Sequence, residues 1–289
     1  MGSRNRTHQM AGADYQGADL RGQTHRYANW HKANLAKAQL ENTDCHGLFA
    51  ASADFRCADL QAANCTESDL AHSNLGYTVF IDTILTDARL EDTDWAHADC
   101  RDTDFSRAHM RGIKAQGTNF LGARFTDASL RGSYIRASTM FGIEGARVNW
   151  SEADLASNDI RHADLTHATM HHTRLADANF QESDLRYATI LDANLQTTDC
   201  RDADLSHTDL SRSDFRNADC RNTNFENANL TGALFTGARL DGARFQDAKL
   251  YDIEIEDDQL DAILDAHRIV PNQGGFPGWT LISEYLVKY

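Results

Sequence analysis

The sequence predicts an all-β solenoid, in which short extended segments coil around one hydrophobic axis. Three observations indicate it: a five-residue repeat that keeps its phase from residue 13 to about residue 257, the absence of proline before Pro271 in a chain of 289 residues, and glycines that return at one position of the repeat. Self-similarity at a short fixed period is the sequence signature of repeat architectures, so it is considered before any single motif.

The repeat unit has a large central residue, which falls on every position divisible by five. Of the 49 units centred on residues 15 to 255, 45 carry Leu, Phe, Ile, Met, Trp, Tyr or Cys at the centre. Ala, Ser or Thr stands two positions earlier in 42 units, and Asp or Asn usually stands directly before the centre, as at Asp54 and Asp59. A period of five fits neither the 3.6-residue repeat of a helix nor the alternation of a strand.

A coil of twenty residues explains this spacing. The small residue and the centre are two positions apart, so they point to the same side of a locally extended chain. If each unit turns the chain by about 90°, four units close a square coil, and successive coils bond at the ~4.8 Å spacing of adjacent strands. The 49 units then make about twelve coils.

Proline and glycine follow from the same geometry. Proline lacks the N–H donor that stacked coils need, which explains why it is missing from the repeats. Glycine collects at a corner two residues after the centre, where it can take a positive φ. The corner glycines are Gly17, Gly22, Gly117, Gly122, Gly132, Gly232, Gly237 and Gly242.

The repeated pattern A(D/N)LXX, as in AGADYQGADLRG and SEADLASNDIRHADL, resembles the pentapeptide repeat family over about 85% of the chain. The resemblance implies a right-handed quadrilateral β-helix. It also implies a binding role, because the best understood members are DNA mimics that engage type II topoisomerases and shield them from quinolone-like or natural-product poisons. This chain departs from them in its length, in the lack of a long inserted loop and in a belt of basic residues.

The pattern predicts three segments: a flexible N-terminus at 1–12, the β-helix at 13–257 and a helical segment at 258–289. A solenoid needs caps over its open ends, and apolar residues recur at helical spacing after the repeats. We expect a cap and a possible dimer contact from Leu260, Ile263, Leu264, Leu281, Ile282, Tyr285 and Leu286. The resemblance implies that such C-terminal helices join two copies into a homodimer.

Three units invert the pattern, at 46–50, 111–115 and 141–145. In each, a large residue takes the small position and a small residue takes the centre, as in Ile113 with Ala115. The swap conserves interior volume, which cores tolerate well. A glycine precedes each large residue, so we predict a local distortion there, either a packing variant or a feature that shapes the rod for a partner.

No motif supports catalysis, a metal site or a cofactor. Nucleophile elbows, phosphate loops and zinc motifs are missing from the sequence. The aspartates before the centres repeat along the whole chain, which favours a local role as acceptors of backbone hydrogen bonds at turns. Cys45 with Cys65, and Cys200 with Cys220, stack at twenty-residue spacing, and we expect them to be buried reduced thiols.

Charge is the strongest functional signal. The chain carries 43 acidic and 28 basic residues, and this balance argues against nucleic acid as a direct partner. The start is too polar for a signal peptide and no apolar stretch would span a membrane, so we expect a cytoplasmic protein. Summed by face, the units centred on 20, 40, 60 and on 25, 45, 65 carry nearly all of the negative charge.

Along the chain, the acidic residues concentrate in 41–105, which holds 14 acidic and 3 basic residues. Over the ~16 Å that this block rises, its net charge approaches the one charge per ~1.7 Å of DNA. We expect the partner-binding acidic face to comprise Asp44, Asp59, Glu67, Asp82, Asp87, Asp99, Asp102 and Asp104. A basic belt follows at Arg107, Arg111, Lys114, Arg124, Arg131 and Arg136.

These observations predict a non-enzymatic, DNA-mimicking rod that binds DNA gyrase or topoisomerase IV and modulates it or protects it from inhibitors. The alternative is a structural or adaptor scaffold that binds another protein through a broad flat face. An acidic surface that only keeps the rod soluble is the simplest explanation of the charge.

Overall fold

The structure is a computed structural model that describes residues 10–256 together with 259 and 263. In this part of the chain every β-bridge is parallel and joins a residue to the one twenty positions later, from Asp14–Asn34 to Leu234–Glu254. Four pentads therefore close one coil, as predicted. The bridges are isolated, so each side of the coil is a three-residue extended segment rather than a long strand.

The solenoid has four walls, which we number in chain order. Wall 1 contains the centres 15, 35, 55 and onward; wall 2 contains 20, 40, 60; wall 3 contains 25, 45, 65; and wall 4 contains 30, 50, 70. The two-residue turn after each centre forms an edge of the rod. Edge 2–3, for example, joins wall 2 to wall 3 and contains residues such as Ile81 and Asp82.

Backbone donors in the repeat are consumed almost completely. In the unit Leu35–Gln39, four N–H groups donate at 2.7–3.0 Å to the carbonyls of Asp54, Arg56, Leu35 and Ala18, and the fifth donates at 3.2 Å to the Asn34 side chain. Only one of these bonds closes the turn; three others join neighbouring coils. A proline at any of these positions would leave a carbonyl or a side chain without its donor, which explains the absence of proline.

The second residue of every edge has a positive φ. This holds for twelve glycines, at 63–73°, and for 37 other residues, at 49–62°. Together with the turn hydrogen bond across the edge, it gives the dihedral signature of a type II turn. The eight corner glycines are therefore confirmed. Asp, Asn and His fill 20 of the other 37 positions, in keeping with their tolerance of the left-handed region.

The large centres fill the axis of the rod. Trp30, Trp95 and Trp150 are fully buried, and phenylalanines twenty residues apart stack face to face, as Phe105 does on Phe125 at 5.0 Å between ring centroids. Ser and Thr in the small position are also buried, and most of their hydroxyls bond carbonyls of the centres. Thr78, for instance, donates to the carbonyl of Phe55 in the preceding coil at 2.6 Å.

The three inverted units keep the regular coil. Leu48, Ile113 and Ile143 are buried, and the bridges and turns continue through 46–50, 111–115 and 141–145 without a change of register. The distortion predicted there is therefore wrong. The preceding glycines are ordinary edge residues with positive φ, so they do not mark a bend.

The irregular turn lies instead at residues 136 and 137. The buried amide of Asn158 is inserted beside it: its nitrogen donates to the carbonyls of Ile135 and Leu155 at 2.8 and 2.9 Å, and its oxygen accepts the N–H of Ser138 at 2.9 Å. Ser138 therefore donates its N–H to a side chain, where most units donate to the carbonyl three residues earlier. Asn158 is an exception to the small-residue rule, and three hydrogen bonds explain how it is accommodated.

The ends of the solenoid differ from the prediction in one respect. Met10 and Gly12 already donate to the carbonyls of Asn29 and His31 at 3.0 and 2.8 Å, so the coil begins no later than Met10 rather than at residue 13. At the other end, Gln259 and Ile263 are helical and buried. The side chain of Gln259 donates to the carbonyls of Phe235 and Ala238 at 2.7 and 2.6 Å.

Most of the predicted C-terminal segment lies outside the described residues, including Leu260, Leu264, Leu281, Ile282, Tyr285 and Leu286. The helical cap, the coil number and the right-handed sense stay predictions. Among the residues that the structure describes, none belongs to a helix long and apolar enough to cross a membrane.

Candidate protein-binding walls

Aspartate and asparagine before the centres act first on their own backbone. The Asp59 carboxylate accepts the N–H of Gln61 at 3.0 Å, and the Asn179 side chain accepts the N–H of Gln181 at 3.0 Å. The same bond recurs along the whole rod. It satisfies the one donor of the unit that no carbonyl reaches, so the local role predicted for these residues explains their number.

Arginine two residues after such an aspartate forms a second, stronger contact. The guanidinium group binds the carboxylate through two nitrogens, as in the pair Asp184–Arg186 at 2.8 and 2.6 Å. The other pairs are Asp19–Arg21, Asp54–Arg56, Asp99–Arg101, Asp159–Arg161, Asp199–Arg201, Asp214–Arg216 and Asp219–Arg221. We call these contacts Asp-x-Arg forks. Two parallel charge-assisted bonds fix both side chains on the wall.

Arginine lowers the pKa of the carboxyl group in the forks of Asp19 and Asp219. The hydrogen bonds from the Arg21 side chain lower the pKa of Asp19 to about 2. The Arg221 side chain likewise lowers the pKa of Asp219, against a smaller opposing effect of burial. These carboxylates therefore stay charged at any ordinary pH, but each charge is balanced by an adjacent arginine.

A second set of ion pairs joins neighbouring coils along an edge. Arg107 binds Asp87 through two nitrogens at 2.8 and 2.7 Å, and Arg212 binds Asp192 in the same way at 2.6 and 2.7 Å. The partners are twenty residues apart and therefore stand one above the other. These pairs also neutralise acidic residues whose charge a count along the sequence would treat as unpaired.

The eight residues predicted for the acidic face all lie on walls 2 and 3 or on the edges that follow them. Their surroundings differ. Four carboxylates face an arginine within 4.0 Å: Asp44 with Arg26, Asp87 with Arg107, Asp99 with Arg101 and Asp104 with Arg124. Glu67 lies 3.9 Å from His46, while Asp59, Asp82 and Asp102 have no cationic partner in the described residues.

The net charge of the 41–105 block is therefore smaller than its sequence suggests. Seven of its fourteen acidic residues have an arginine within 4.0 Å. Three of those arginines, Arg26, Arg107 and Arg124, lie outside the block and reduce its net charge from −11 to −8. Over ~16 Å this is about one charge per 2 Å, slightly below the density of DNA.

The basic belt is similarly reduced. Arg107, Arg124, Arg131 and Arg136 each contact a carboxylate, at 2.6–3.7 Å. Of the six belt residues, only Arg111 and Lys114 have no ion pair within the described part of the chain. The belt is therefore a set of links between coils rather than a separate basic surface.

Exposed aromatic rings form ladders that the sequence analysis missed. His167, Tyr187 and His207 stack along edge 3–4 at 5.1 and 4.9 Å between centroids, and Tyr77 stacks on His97 at 5.0 Å. Their shared position in the repeat, at twenty-residue spacing, is the signal that could have revealed them. The stacked rings line the edge from one coil to the next.

The described residues contain no group of three or more His, Cys, Asp or Glu side chains that could hold a metal ion. The six cysteines are free; Cys57 is exposed and the other five are buried. Burial raises the pKa of the Cys100 thiol well above its ordinary value, which makes it a poor nucleophile.

A parallel coil of twenty residues, with four pentads to the turn and a packed axis, defines a solenoid. The chain belongs to the pentapeptide repeat family: the model of pentapeptide repeats matches eight copies, over residues 13–47, 53–92, 83–120, 103–140, 163–199, 198–219 and 218–253. No curated protein sequence matches the chain significantly.

Solved structures of other pentapeptide repeat proteins are similar to this chain. HetL of the cyanobacterium Nostoc, involved in the regulation of heterocyst differentiation, is 22% identical, with coverage of 85% of this chain and 93% of HetL, and a TM-score of 0.30. Full-length QnrB1, a plasmid-mediated fluoroquinolone resistance protein, is 15% identical, with coverage of 64% and 92% and a TM-score of 0.45. A protein of the Arabidopsis thaliana thylakoid lumen is 30% identical over 45% of this chain and 88% of its own, with a TM-score of 0.26.

Proposed function

We propose that this protein is a non-enzymatic binding rod whose walls 2 and 3 engage a type II topoisomerase, DNA gyrase or topoisomerase IV, and modulate it or protect it from inhibitors. The observation that carries the proposal is the position of the uncompensated carboxylates. Asp59 lies on wall 2, and Asp82 and Asp102 stand one above the other on edge 2–3, between the two most acidic walls.

The spacing of these charges supports recognition by a DNA-binding surface. Stacked edge residues such as Asp82 and Asp102 recur at the ~4.8 Å separation of adjacent strands, on a backbone that the bridges hold fixed. A rigid row of negative charges attracts a basic cleft and aligns it along the rod. The pentapeptide repeat fold and the fluoroquinolone resistance activity of QnrB1 make topoisomerases the first partners to test.

The test is a supercoiling and drug-stabilised cleavage assay with purified gyrase. We expect the wild-type protein to change supercoiling, or to reduce cleavage, at micromolar concentration. The variant D82N/D102N should lose about tenfold in potency, because both removed charges face the partner. No effect of the wild-type protein on either reaction would overturn the proposal.

A matched control is available on the opposite walls. Asp92 and Asp177 occupy the same positive-φ position of the repeat, but they lie on edges 4–1 and 1–2. Asparagine occurs naturally in that position at Asn42, Asn217, Asn222 and Asn227, so all four substitutions keep the backbone. The variant D92N/D177N carries the same change in net charge and should retain the potency of the wild type.

A structural or adaptor scaffold is the second candidate, and the ion pairs favour it. Seven carboxylates of the 41–105 block already bind arginine, so a partner would meet a patterned, partly neutral wall rather than a continuous row of anions. A pull-down with the full chain that recovers one consistent partner and no topoisomerase would support this candidate.

The proposal also includes a cytoplasmic location and a homodimer formed through residues 258–289. Sedimentation equilibrium of the full chain tests the second point. A dimer that dissociates in the variant L281E/Y285E would support it, and a wild-type protein that is monomeric at micromolar concentration would contradict it.

A further inference from the structure

Edge 2–3 carries apolar side chains as well as the two uncompensated aspartates. The first position of an edge is a large apolar residue at only five places in the described rod: Ile81, Leu121, Phe141, Leu191 and Tyr251. Three of the five, Ile81, Leu121 and Phe141, lie in a single column on edge 2–3, in which Arg101 stands between Ile81 and Leu121. The corresponding column of edge 3–4 holds Thr86, Ser106, Thr126 and Ala146 over the same coils.

The flanking walls extend this apolar surface. Val79 lies on wall 2 and Ile84 on wall 3, immediately before and after the turn that contains Ile81. Ile84 is 43% exposed and Leu121 is 39% exposed, so neither side chain is used by the core. Apolar groups gathered at one place on an otherwise polar rod mark a contact surface.

Two glycines stand on the upper part of this edge. Gly122 and Gly142 follow Leu121 and Phe141, where most edges carry a side chain. A Cβ atom at Gly122 would collide with the Asp102 carboxylate, whereas a Cβ atom at Gly142 would meet nothing within 4 Å. Gly142 is therefore not required by a neighbouring atom, and the half-buried Phe141 ring packs edge-on against His162 of the next coil at 4.9 Å between centroids.

The charges around the apolar column have one sign once ion pairs are counted. Arg101 is fixed by Asp99, and Arg161 is fixed by Asp159 while its guanidinium lies 5.5 Å from the centre of the Phe141 ring. Asp82 and Asp102 have no such partner in the described chain. The edge thus presents apolar groups beside two free negative charges.

We infer that edge 2–3, from Ile81 to Phe141, is a docking surface for a basic amphipathic helix of a protein partner. Three coils separate the ends of the column, a rise of ~14 Å, which equals about ten residues of helix at 1.5 Å each. One helical turn, 5.4 Å, is close to the ~4.8 Å rise of a coil, so apolar residues on successive turns can follow Leu121 and Phe141. Lysine or arginine on the flank of that helix would face Asp82 and Asp102.

The inference rests on the proposed binding role of walls 2 and 3, but it names a different physical contact. A polyanion mimic needs only the carboxylates, whereas this surface also requires the apolar side chains. The partner segment is therefore one that combines both features, as amphipathic helices with basic flanks do.

Isothermal titration with the full chain and three synthetic 14-residue helices tests the inference. The first peptide has a Leu face and Lys flanks, the second replaces Leu by Ser, and the third replaces Lys by Glu. We expect the Leu/Lys peptide to bind at least about tenfold more tightly than either of the others. Equal binding of the Leu/Lys and Ser/Lys peptides would overturn the proposal, because charge alone would then explain it.

Matched variants locate the contact. L121S and F141S should each weaken binding of the Leu/Lys peptide by about fivefold to tenfold. L191S should leave it unchanged, since Leu191 holds the same position of the repeat on edge 4–1. Equal effects of L121S and L191S would overturn the assignment to edge 2–3.

The gyrase assay separates this inference from the proposed function. Peptide binding that depends on Leu121 and Phe141, without any effect of the protein on gyrase, supports the docking surface and contradicts the topoisomerase proposal. If L121S and F141S affect gyrase as strongly as the wild-type protein does, and also bind the Leu/Lys peptide with unchanged affinity, the docking surface is contradicted. The topoisomerase proposal is then unaffected.

Discussion

Residues 41–105 and 181–221 are built on the same coil but present different charges to solvent. The first region holds 14 acidic and 3 basic residues, and the second holds 9 and 5. In the second region all five arginines form two-nitrogen contacts with carboxylates: four are Asp-x-Arg forks and the fifth is the pair Arg212–Asp192. The interior sets the shape of the rod, while arginines two residues away or in a neighbouring coil decide which carboxylate charges remain available.

The largest loss of stability is expected from substitutions in the core, and these test whether the interiors of the two regions are equally well packed. Phe105 stacks on Phe125 and Phe215 stacks on Phe235 with the same geometry, 5.0 Å between centroids and 8° between planes. Both Phe105→Ala and Phe215→Ala should therefore lower the free energy of unfolding by about 3–5 kcal/mol. Urea denaturation followed by circular dichroism measures both, and a difference above about 2 kcal/mol would show that the interiors are not equivalent.

The second largest loss of stability is expected at Asn158, in the part of the rod between the two regions. Asn158→Ala removes three hydrogen bonds and leaves the N–H of Ser138 and the carbonyl of Ile135 without those partners, which should cost about 2–3 kcal/mol. Asn158→Thr should cost less, because a hydroxyl in this position can bond the centre of the preceding coil, as Thr118 does with Trp95. The same denaturation experiment would contradict this account if both variants were equally unstable.

Introducing a fork into the first region should remove a binding charge. Gln61 follows Asp59 at the position that arginine occupies after Asp219, so Gln61→Arg converts wall 2 locally into the pattern of the second region. We expect about threefold weaker binding to gyrase at low salt. Gln181→Arg is the control, because it adds the same charge in the same column next to Asn179. Equal effects of the two substitutions would mean that the 41–105 block has no special role.

Removing a fork from the second region should have the smallest effect. Arg221→Gln should raise the pKa of Asp219, which the Arg221 side chain now holds low. Because the folded pKa is depressed, the pair stabilises the protein above the ordinary pKa of aspartate, and this contribution is lost as the pH falls through the folded value. We expect only a small loss of stability at pH 7, since the pair is partly exposed to solvent.

The free energy of unfolding, measured from pH 7 down to the pH at which the protein unfolds in acid, would show this dependence on the protonation of Asp219. The difference in stability between wild type and R221Q should narrow as the pH falls below the usual range of an aspartate. A difference that stays constant with pH would indicate that Arg221 acts through packing of its aliphatic stem instead.

The period of five was enough to predict the coil of twenty residues, the buried centres and the corner glycines, because each of these depends on only a few neighbouring positions. The pairing of charges depends on where long side chains reach, and one repeat offers several choices. Arg101 binds an aspartate two residues earlier, Arg107 one twenty residues earlier and Arg136 one eighteen residues later. Counting charges along the sequence cannot distinguish these cases.

The inverted units show the reverse case, in which the sequence predicted a distortion that the structure does not have. Their composition suggested a distortion, but Leu48 and Ile113 fill the same interior from a different position, so the backbone does not change. The irregular turn arises from Asn158, whose side chain reaches the coil before its own. The sequence marks Asn158 as an exception to the small-residue rule, but the irregular turn is recognised only from the hydrogen bond between Asn158 and Ile135 of the preceding coil.

Gln259 has a consequence for how copies of this rod avoid joining end to end. An uncovered coil offers carbonyls and N–H groups in the same pattern that binds the next coil, and exposed sheet edges of this kind are templates for polymerisation. The Gln259 amide donates to the carbonyls of Phe235 and Ala238, and the Ala238 carbonyl is one that a further coil would use, as Gln39 uses that of Ala18. One side chain thus limits the growth of a ladder that could in principle continue into a fibre.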